Sequence, residues 1–92
     1  MEAALDEVVQ VFASIGEGAV MRKLFEELFT DSERKDVALR WELMKMIQAD
    51  VPQREIAAEL GISLCKITRG SRVLREPGSV AASILSDRSD DE

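Results

Sequence analysis

The chain has 92 residues, 46% of them hydrophobic, one cysteine, no histidine and a net charge of −6. This length allows one small domain, and the cysteine and histidine counts exclude an internal disulfide and the usual zinc-ligand patterns. The apolar stretches are far shorter than the ~20 residues of a membrane-spanning helix, and the acidic start at Met1-Glu2 is unlike a signal peptide. We therefore expect a cytoplasmic protein that binds neither membrane nor metal.

The acidic charge is unevenly distributed along the chain. Residues 1–36 contain nine acidic and four basic side chains, whereas residues 52–76 contain five basic and three acidic ones. The local field, rather than the total charge, decides where a polyanion docks. The basic segment is therefore the candidate nucleic-acid contact.

Helices are predicted almost throughout, because strand-like alternation is nearly absent. A first helix runs from Ala3 to Ile15 and a second from about Val20 to Phe29. Thr30 and Glu33 have the spacing of a capping box, which begins a third helix. The apolar residues of this third helix form two stripes that leave little polar face, so we expect a subunit interface around it.

Two shorter helices are predicted after the third. Pro52 suits the first position of a fourth helix that runs through Leu60, and Gly61 suits its C-terminal cap. Ser63 can cap a fifth helix, which extends from Leu64 to about Arg75. These two helices form a helix-turn-helix over about residues 52–75.

The end of the chain is predicted to lose regular structure. Pro77-Gly78 stops the fifth helix, and residues 79–85 form a last short helix. Residues 86–92 are acidic and rich in serine, which predicts a disordered tail. Residues 1–85 are then a single helical DNA-binding domain.

The pattern at residues 52–75 is typical of a DNA-reading motif. Two short helices meet at a glycine turn, the second helix is basic, and small Ala57 permits close approach. An ordinary helical hairpin is the alternative. The sequence has no histidine, no phosphate-binding loop and no nucleophile with a recognisable base, so we do not expect an enzyme. The apolar contacts of the motif are predicted at Ile56, Leu60, Ile62 and Ile67, and its DNA contacts at Arg54, Leu64, Cys65, Lys66, Thr68 and Arg72.

About half of the chain, residues 28–74, resembles the tryptophan repressor family. The resemblance lies in Leu28-Phe29-Thr30 followed by Glu33-Arg34, in Gln53-Arg54-Glu55-Ile56, and above all in Ile67-Thr68-Arg69-Gly70-Ser71. It implies an all-α protein with an intertwined homodimer core and L-tryptophan as corepressor. It also implies a repressor of tryptophan-related genes that binds a palindromic double-stranded DNA operator.

The resemblance also implies a set of ligand-binding residues. Arg40 and Arg69 match the two arginines that sandwich the indole ring in that family, and Gly70 leaves room beside the ring. A planar guanidinium is suited to stacking on an aromatic face. The amino end of the ligand is implied to meet Thr30 and the backbone carbonyls of Glu27 and Phe29.

Three departures from the family pattern leave alternatives open. Val73 stands where the family has a serine near the ligand's amino group, Lys66 replaces a smaller polar residue, and the stretch between Arg40 and Gln53 is one residue shorter. One alternative is a helix-turn-helix protein that binds DNA without an effector. Another is a helical protein-interaction dimer whose basic stripe binds an acidic partner.

Overall fold

The computed structural model describes residues 1–90, with side chains through residue 88, and this part of the chain is all-α, as predicted. No helix within it is both long and apolar enough to cross a membrane. The helices are α1 (Glu2–Ser14), α2 (Gly18–Leu28), α3 (Asp31–Gln48), α4 (Gln53–Leu60), α5 (Leu64–Arg75) and α6 (Val80–Asp90).

The contacts within the chain define two compact units, Met1–Lys35 and Asp36–Glu92. Helix α3 contributes residues to both units. The single domain expected over residues 1–85 stays a prediction.

In the first unit, α1 and α2 carry apolar residues but contain no buried residue. Three phenylalanines provide aromatic contacts: the ring centroids of Phe12 and Phe25 are 6.2 Å apart, and those of Phe25 and Phe29 are 4.5 Å apart. Exposed side chains of this unit include Leu5 and Val9. The unit therefore has aromatic contacts without an enclosed core.

The predicted capping box at the start of α3 is confirmed. The Glu33 backbone N–H donates to Thr30 Oγ1 over 3.1 Å, and the Thr30 backbone N–H donates to Glu33 Oε1 over 2.9 Å. The Thr30 backbone N–H, and next the Thr30 side chain, hold the pKa of the Glu33 carboxyl below its usual value. Each residue thus satisfies a backbone donor that the helix leaves unpaired.

The core of the second unit lies between α3 and the helix-turn-helix. Ile56 and Ile67 are fully buried and pack with Leu43 of α3. Among the partly buried residues around this cluster are Ala57, Leu60 and Ile62, so the packing predicted for the motif is confirmed.

The end of α3 has the hydrogen bonds of a Schellman motif. The Val51 N–H donates to the Met46 carbonyl and the Asp50 N–H to the Ile47 carbonyl, each over 3.0 Å. Asp50 has a φ of 60°, the left-handed conformation that this motif requires and that glycine usually provides. Val51 packs against the core cluster, which fixes the chain at its exit from α3.

The turn between α4 and α5 follows the sequence prediction. Gly61 ends α4 with a φ of 64°, and the Ser63 Oγ accepts a hydrogen bond from the Lys66 N–H over 3.3 Å at the start of α5. Pro52 differs from its predicted place, because it lies just outside α4 as the N-cap. Its ψ of 142° is extended rather than helical, so the helix begins at Gln53.

The last helix is longer than predicted. α6 continues to Asp90, so the disorder expected from residue 86 onward is wrong for residues 86–90, while residues 91 and 92 lie outside the described part. Ser79 Oγ accepts from the Ala82 N–H over 3.1 Å at the start of α6, and Leu85 is buried. The Gln48 side chain donates to Ser86 Oγ over 3.1 Å, which ties α6 to α3 beyond Leu85.

Candidate functional site

The outer side of the helix-turn-helix is open to solvent. Every side chain predicted to contact DNA is exposed, and even the apolar side chain of Leu64 is 54% exposed. Leu64 and Cys65 lie in the first turn of α5, the end that enters the major groove in this motif. The structure therefore leaves these predicted contacts accessible: Arg54, Leu64, Cys65, Lys66, Thr68 and Arg72.

The charge of α5 is available to a polyanion. Among the described side chains, the ion pairs involve residues 22–45, and none of the basic residues of α5 is engaged in one. The Thr68 hydroxyl donates its hydrogen to the Leu64 carbonyl over 3.0 Å, so toward any further partner its oxygen can act only as an acceptor. The helix thus combines free cations with one oriented acceptor.

A cavity of about 270 Å³ lies between α3 and α5. Arg40 from α3 and Arg69 from α5 both line it, together with Gly70, so three of the predicted ligand residues share one site. Lys66, which was predicted to contact DNA, also lines this cavity. The other lining residues are Asp36, Leu39, Leu43, Met44, Ile62 and Val73.

Gly70 of α5 lies close to the side chains of α3. A Cβ atom added to Gly70 would lie 3.2 Å from both Leu43 Cδ2 and Ile47 Cδ1. Such a distance is shorter than ordinary contact between carbon atoms, which is about 3.5–4.0 Å. A larger residue would therefore push against α3, and glycine avoids this close contact.

The cavity carries more positive than negative charge. Arg40, Lys66 and Arg69 face one carboxylate, Asp36, and among the described side chains none of these four is in an ion pair. Apolar side chains from both helices supply the remaining surface. This combination suits a small ligand with an aromatic or aliphatic body and a carboxylate.

The other three predicted ligand residues belong to the first unit. Thr30 caps α3 through its hydroxyl, as described above, and the Phe29 carbonyl accepts a hydrogen bond from the guanidinium of Arg34. The same Arg34 nitrogen donates to the Glu26 carbonyl over 3.0 Å. The ligand role of Thr30, Glu27 and Phe29 stays a prediction.

Several cavity residues were not predicted as ligand-binding from the sequence; among them, Lys66 was predicted to contact DNA and Val73 was noted as a departure from the family pattern. Asp36 and Met44 lie one helical turn to either side of Arg40, and Lys66 and Val73 lie one turn to either side of Arg69. Residues three or four positions apart share a helix face. Helical spacing from Arg40 and Arg69 predicts these four positions as part of the cavity, but only if the two arginines are known to line the same site. No group of three or more metal-ligating side chains occurs among the described residues.

Comparisons with known proteins point to one family. A family model described as Trp repressor protein matches residues 3–88. The chain is similar to a Trp operon repressor homolog of Chlamydia trachomatis serovar D, with 41% identity over 56 residues, which are 60% of this chain and 60% of that relative. It is also similar to a Trp operon repressor homolog of Xylella fastidiosa strain 9a5c, with 29% identity over 76 residues, 82% of this chain and 83% of the relative. No solved structure matches the chain.

Proposed function

We propose, because this chain belongs to the Trp repressor protein family, that it is a DNA-binding transcriptional repressor of tryptophan-related genes, with L-tryptophan as corepressor. One observation carries the proposal: Arg40, Arg69 and Gly70 line a cavity on one side of α5, and five of the six predicted DNA contacts are exposed along the same helix. A ligand in this cavity would touch the reading helix itself. The protein's role is then regulatory rather than enzymatic.

The cavity fits an indole-bearing ligand in size and chemistry. Its volume of about 270 Å³ is just below the range of about 300–1,000 Å³ that is typical of small-molecule pockets. The guanidinium planes of Arg40 and Arg69 are suited to stacking on the two faces of an aromatic ring, and Gly70 provides a flat surface at its edge. Leu43 and Ile62 provide apolar surface for the ring.

The protein acts as a homodimer in this proposal. The first unit leaves large apolar side chains exposed in the single chain, and a second copy would cover them. Two-fold symmetry places the two reading helices ~34 Å apart, one turn of a palindromic operator, a docking geometry for which tryptophan repressors are themselves a reference case. The exposed large apolar residues of this unit are Met1, Leu5, Val9, Val11, Val20 and Leu28.

Ligand binding and DNA binding are coupled through α5. Arg69 and Gly70 lie on the cavity side, while Cys65 and Arg72 lie on the solvent side of the same helix. A ligand held between α3 and α5 favours the orientations of α5 in which the cavity is closed around it. Coupling of this kind is typically worth ~1–3 kcal/mol, which is ~5–150-fold in operator affinity.

A gel-shift titration of a palindromic operator tests the proposal. We expect L-tryptophan to raise operator affinity at least about fivefold, and a palindrome to be preferred over random duplex at constant salt. Arg69→Ala should abolish the response to tryptophan. Arg72→Ala, the matched control on the same helix, should weaken DNA binding yet keep the response. An affinity that does not change up to millimolar tryptophan would contradict the corepressor role.

A second candidate is a repressor that binds DNA without an effector. Val73 supports it, because this apolar side chain lines the cavity and offers no hydrogen bond to an amino group. Calorimetry of the protein with L-tryptophan in the absence of DNA separates the candidates. Heat of binding that Arg40→Ala removes supports the corepressor, whereas operator binding without any tryptophan heat supports the second candidate.

A further inference from the structure

Among the described side chains, Asp36 is the only acidic one that lines the cavity. It lies one helical turn before Arg40 on α3, and neither it nor Arg40 forms an ion pair with any described side chain. Acids nearby behave differently, since Asp31 pairs with Lys35 over 3.2 Å and Glu42 with Lys45 over 3.0 Å. The Asp36 carboxylate therefore retains its acceptor oxygens beside three cations of the cavity.

The Val73 side chain, the Phe29 carbonyl and the Thr30 hydroxyl are less suited than Asp36 to binding an ammonium group. Val73 has no acceptor in its side chain. The Phe29 carbonyl accepts from the Arg34 guanidinium, whose positive charge repels an ammonium, and the Thr30 hydroxyl accepts from the Glu33 N–H. Among the side chains lining the cavity, an ammonium finds its complementary charge in Asp36.

We propose that Asp36 binds the ammonium group of the ligand, while the cationic side chains of the cavity hold the ligand's carboxylate. An α-amino acid carries both charges on one carbon, and side chains one helical turn apart are neighbours, with Cβ atoms about 5–6 Å from each other. Asp36 and Arg40 thus present opposite charges at a spacing that suits a zwitterion. This inference rests on the proposed function and specifies its ligand class: a free α-amino acid, preferred over the same acid without its amino group.

Calorimetry with two ligands tests the inference on the full-length protein. L-tryptophan carries ring, carboxylate and ammonium, whereas indole-3-propionate carries the ring and carboxylate alone. Asp36→Asn keeps the shape of the side chain and removes its charge. We expect this variant to bind L-tryptophan at least about tenfold more weakly, as for the loss of a hydrogen bond to a charged group, and to bind indole-3-propionate as tightly as before or more tightly.

Glu42→Gln is the matched control, because it removes one negative charge from the same helix outside the cavity lining. It should change neither affinity by more than about twofold, since exposed charges contribute little. Equal weakening of both ligands by Asp36→Asn, or unchanged tryptophan binding, would overturn the role of Asp36 and leave the corepressor proposal intact. Failure of the wild-type protein to bind either indole would overturn both.

Discussion

The two units of the chain are both helical, yet they differ in what stabilises them. In residues 1–35 no residue is buried, and the large apolar side chains of α1 and α2 are exposed or half-buried. From Asp36 onward the chain encloses its own core and a cavity. Helices alone do not make a stable unit, because most helical stability in proteins comes from packing of the apolar face. The first unit thus has no enclosed core within the single chain, whereas the second does.

Substitution in the core of the second unit should have the largest effect. Ile67→Ala removes a fully buried side chain and should lower the free energy of unfolding by about 2–5 kcal/mol. Chemical denaturation followed by circular dichroism, at a fixed protein concentration, measures the change. Val80→Ala, at a side chain that is 70% exposed, should change stability by less than about 0.5 kcal/mol. Similar losses in both variants would mean that this core is not enclosed.

A charge placed on α1 should have the next largest effect if a second copy covers the first unit. Val9 is 57% exposed in the single chain. Val9→Asp would bury an unpaired carboxylate in the dimer, so the dimer dissociation constant should rise at least about tenfold, or 1.4 kcal/mol. Analytical ultracentrifugation over a concentration series measures it. Gln10→Asp adds the same charge at the neighbouring position, and an equal shift in that control would contradict a specific interface at Val9.

The first unit lacks buried residues but has well-formed local hydrogen bonds in its capping box. Thr30→Ala removes the hydroxyl that caps α3 and should reduce the free energy of unfolding by about 1 kcal/mol. Thermal denaturation detects a change of that size. Thr30→Ser keeps the hydroxyl and should retain most of the stability, so a serine variant as weak as alanine would show that the cap is not the cause.

The smallest effect is expected from the titration of Glu33. Its pKa is lowered in the folded chain, so its contribution is fully present above its unfolded pKa and is lost as the pH falls through the folded value. Glu33→Gln keeps an oxygen acceptor for the Thr30 N–H without a charge. The wild type should exceed this variant in stability at pH 7, and the difference should shrink on acidification toward pH 3. A difference that is constant over this range would contradict the shift.

The sequence predicted those parts of the molecule that depend on local chemistry. The capping box at Thr30, the left-handed Gly61 and the buried Ile56 and Ile67 follow from residue type and spacing, and each is found in the structure. The facing of Arg40 and Arg69 was implied by family resemblance rather than by spacing, because two separate helices must meet before it is visible.

The parts that the sequence did not predict depend on contacts between distant residues. Serine and aspartate are weak helix formers, so the sequence of residues 86–90 does not predict a helix. In the structure, buried Leu85 and the hydrogen bond from Gln48 to Ser86 attach α6 to the rest of its unit. Asp36 resembles any solvated acid on a helix surface until α5 is placed opposite it. Tertiary context decided both cases.

Under the proposed function, the conformation of Asp50 affects the entropy that the protein loses when it binds DNA. The left-handed Asp50, and the hydrogen bonds that the Asp50 and Val51 N–H groups donate to α3, define the elbow between α3 and α4, and the Val51 side chain packs against the core. A glycine there would allow many elbow angles, each of which must be given up when the reading helix enters a groove. An elbow that is already ordered loses this conformational entropy during folding. Less conformational entropy is then lost when the protein binds DNA.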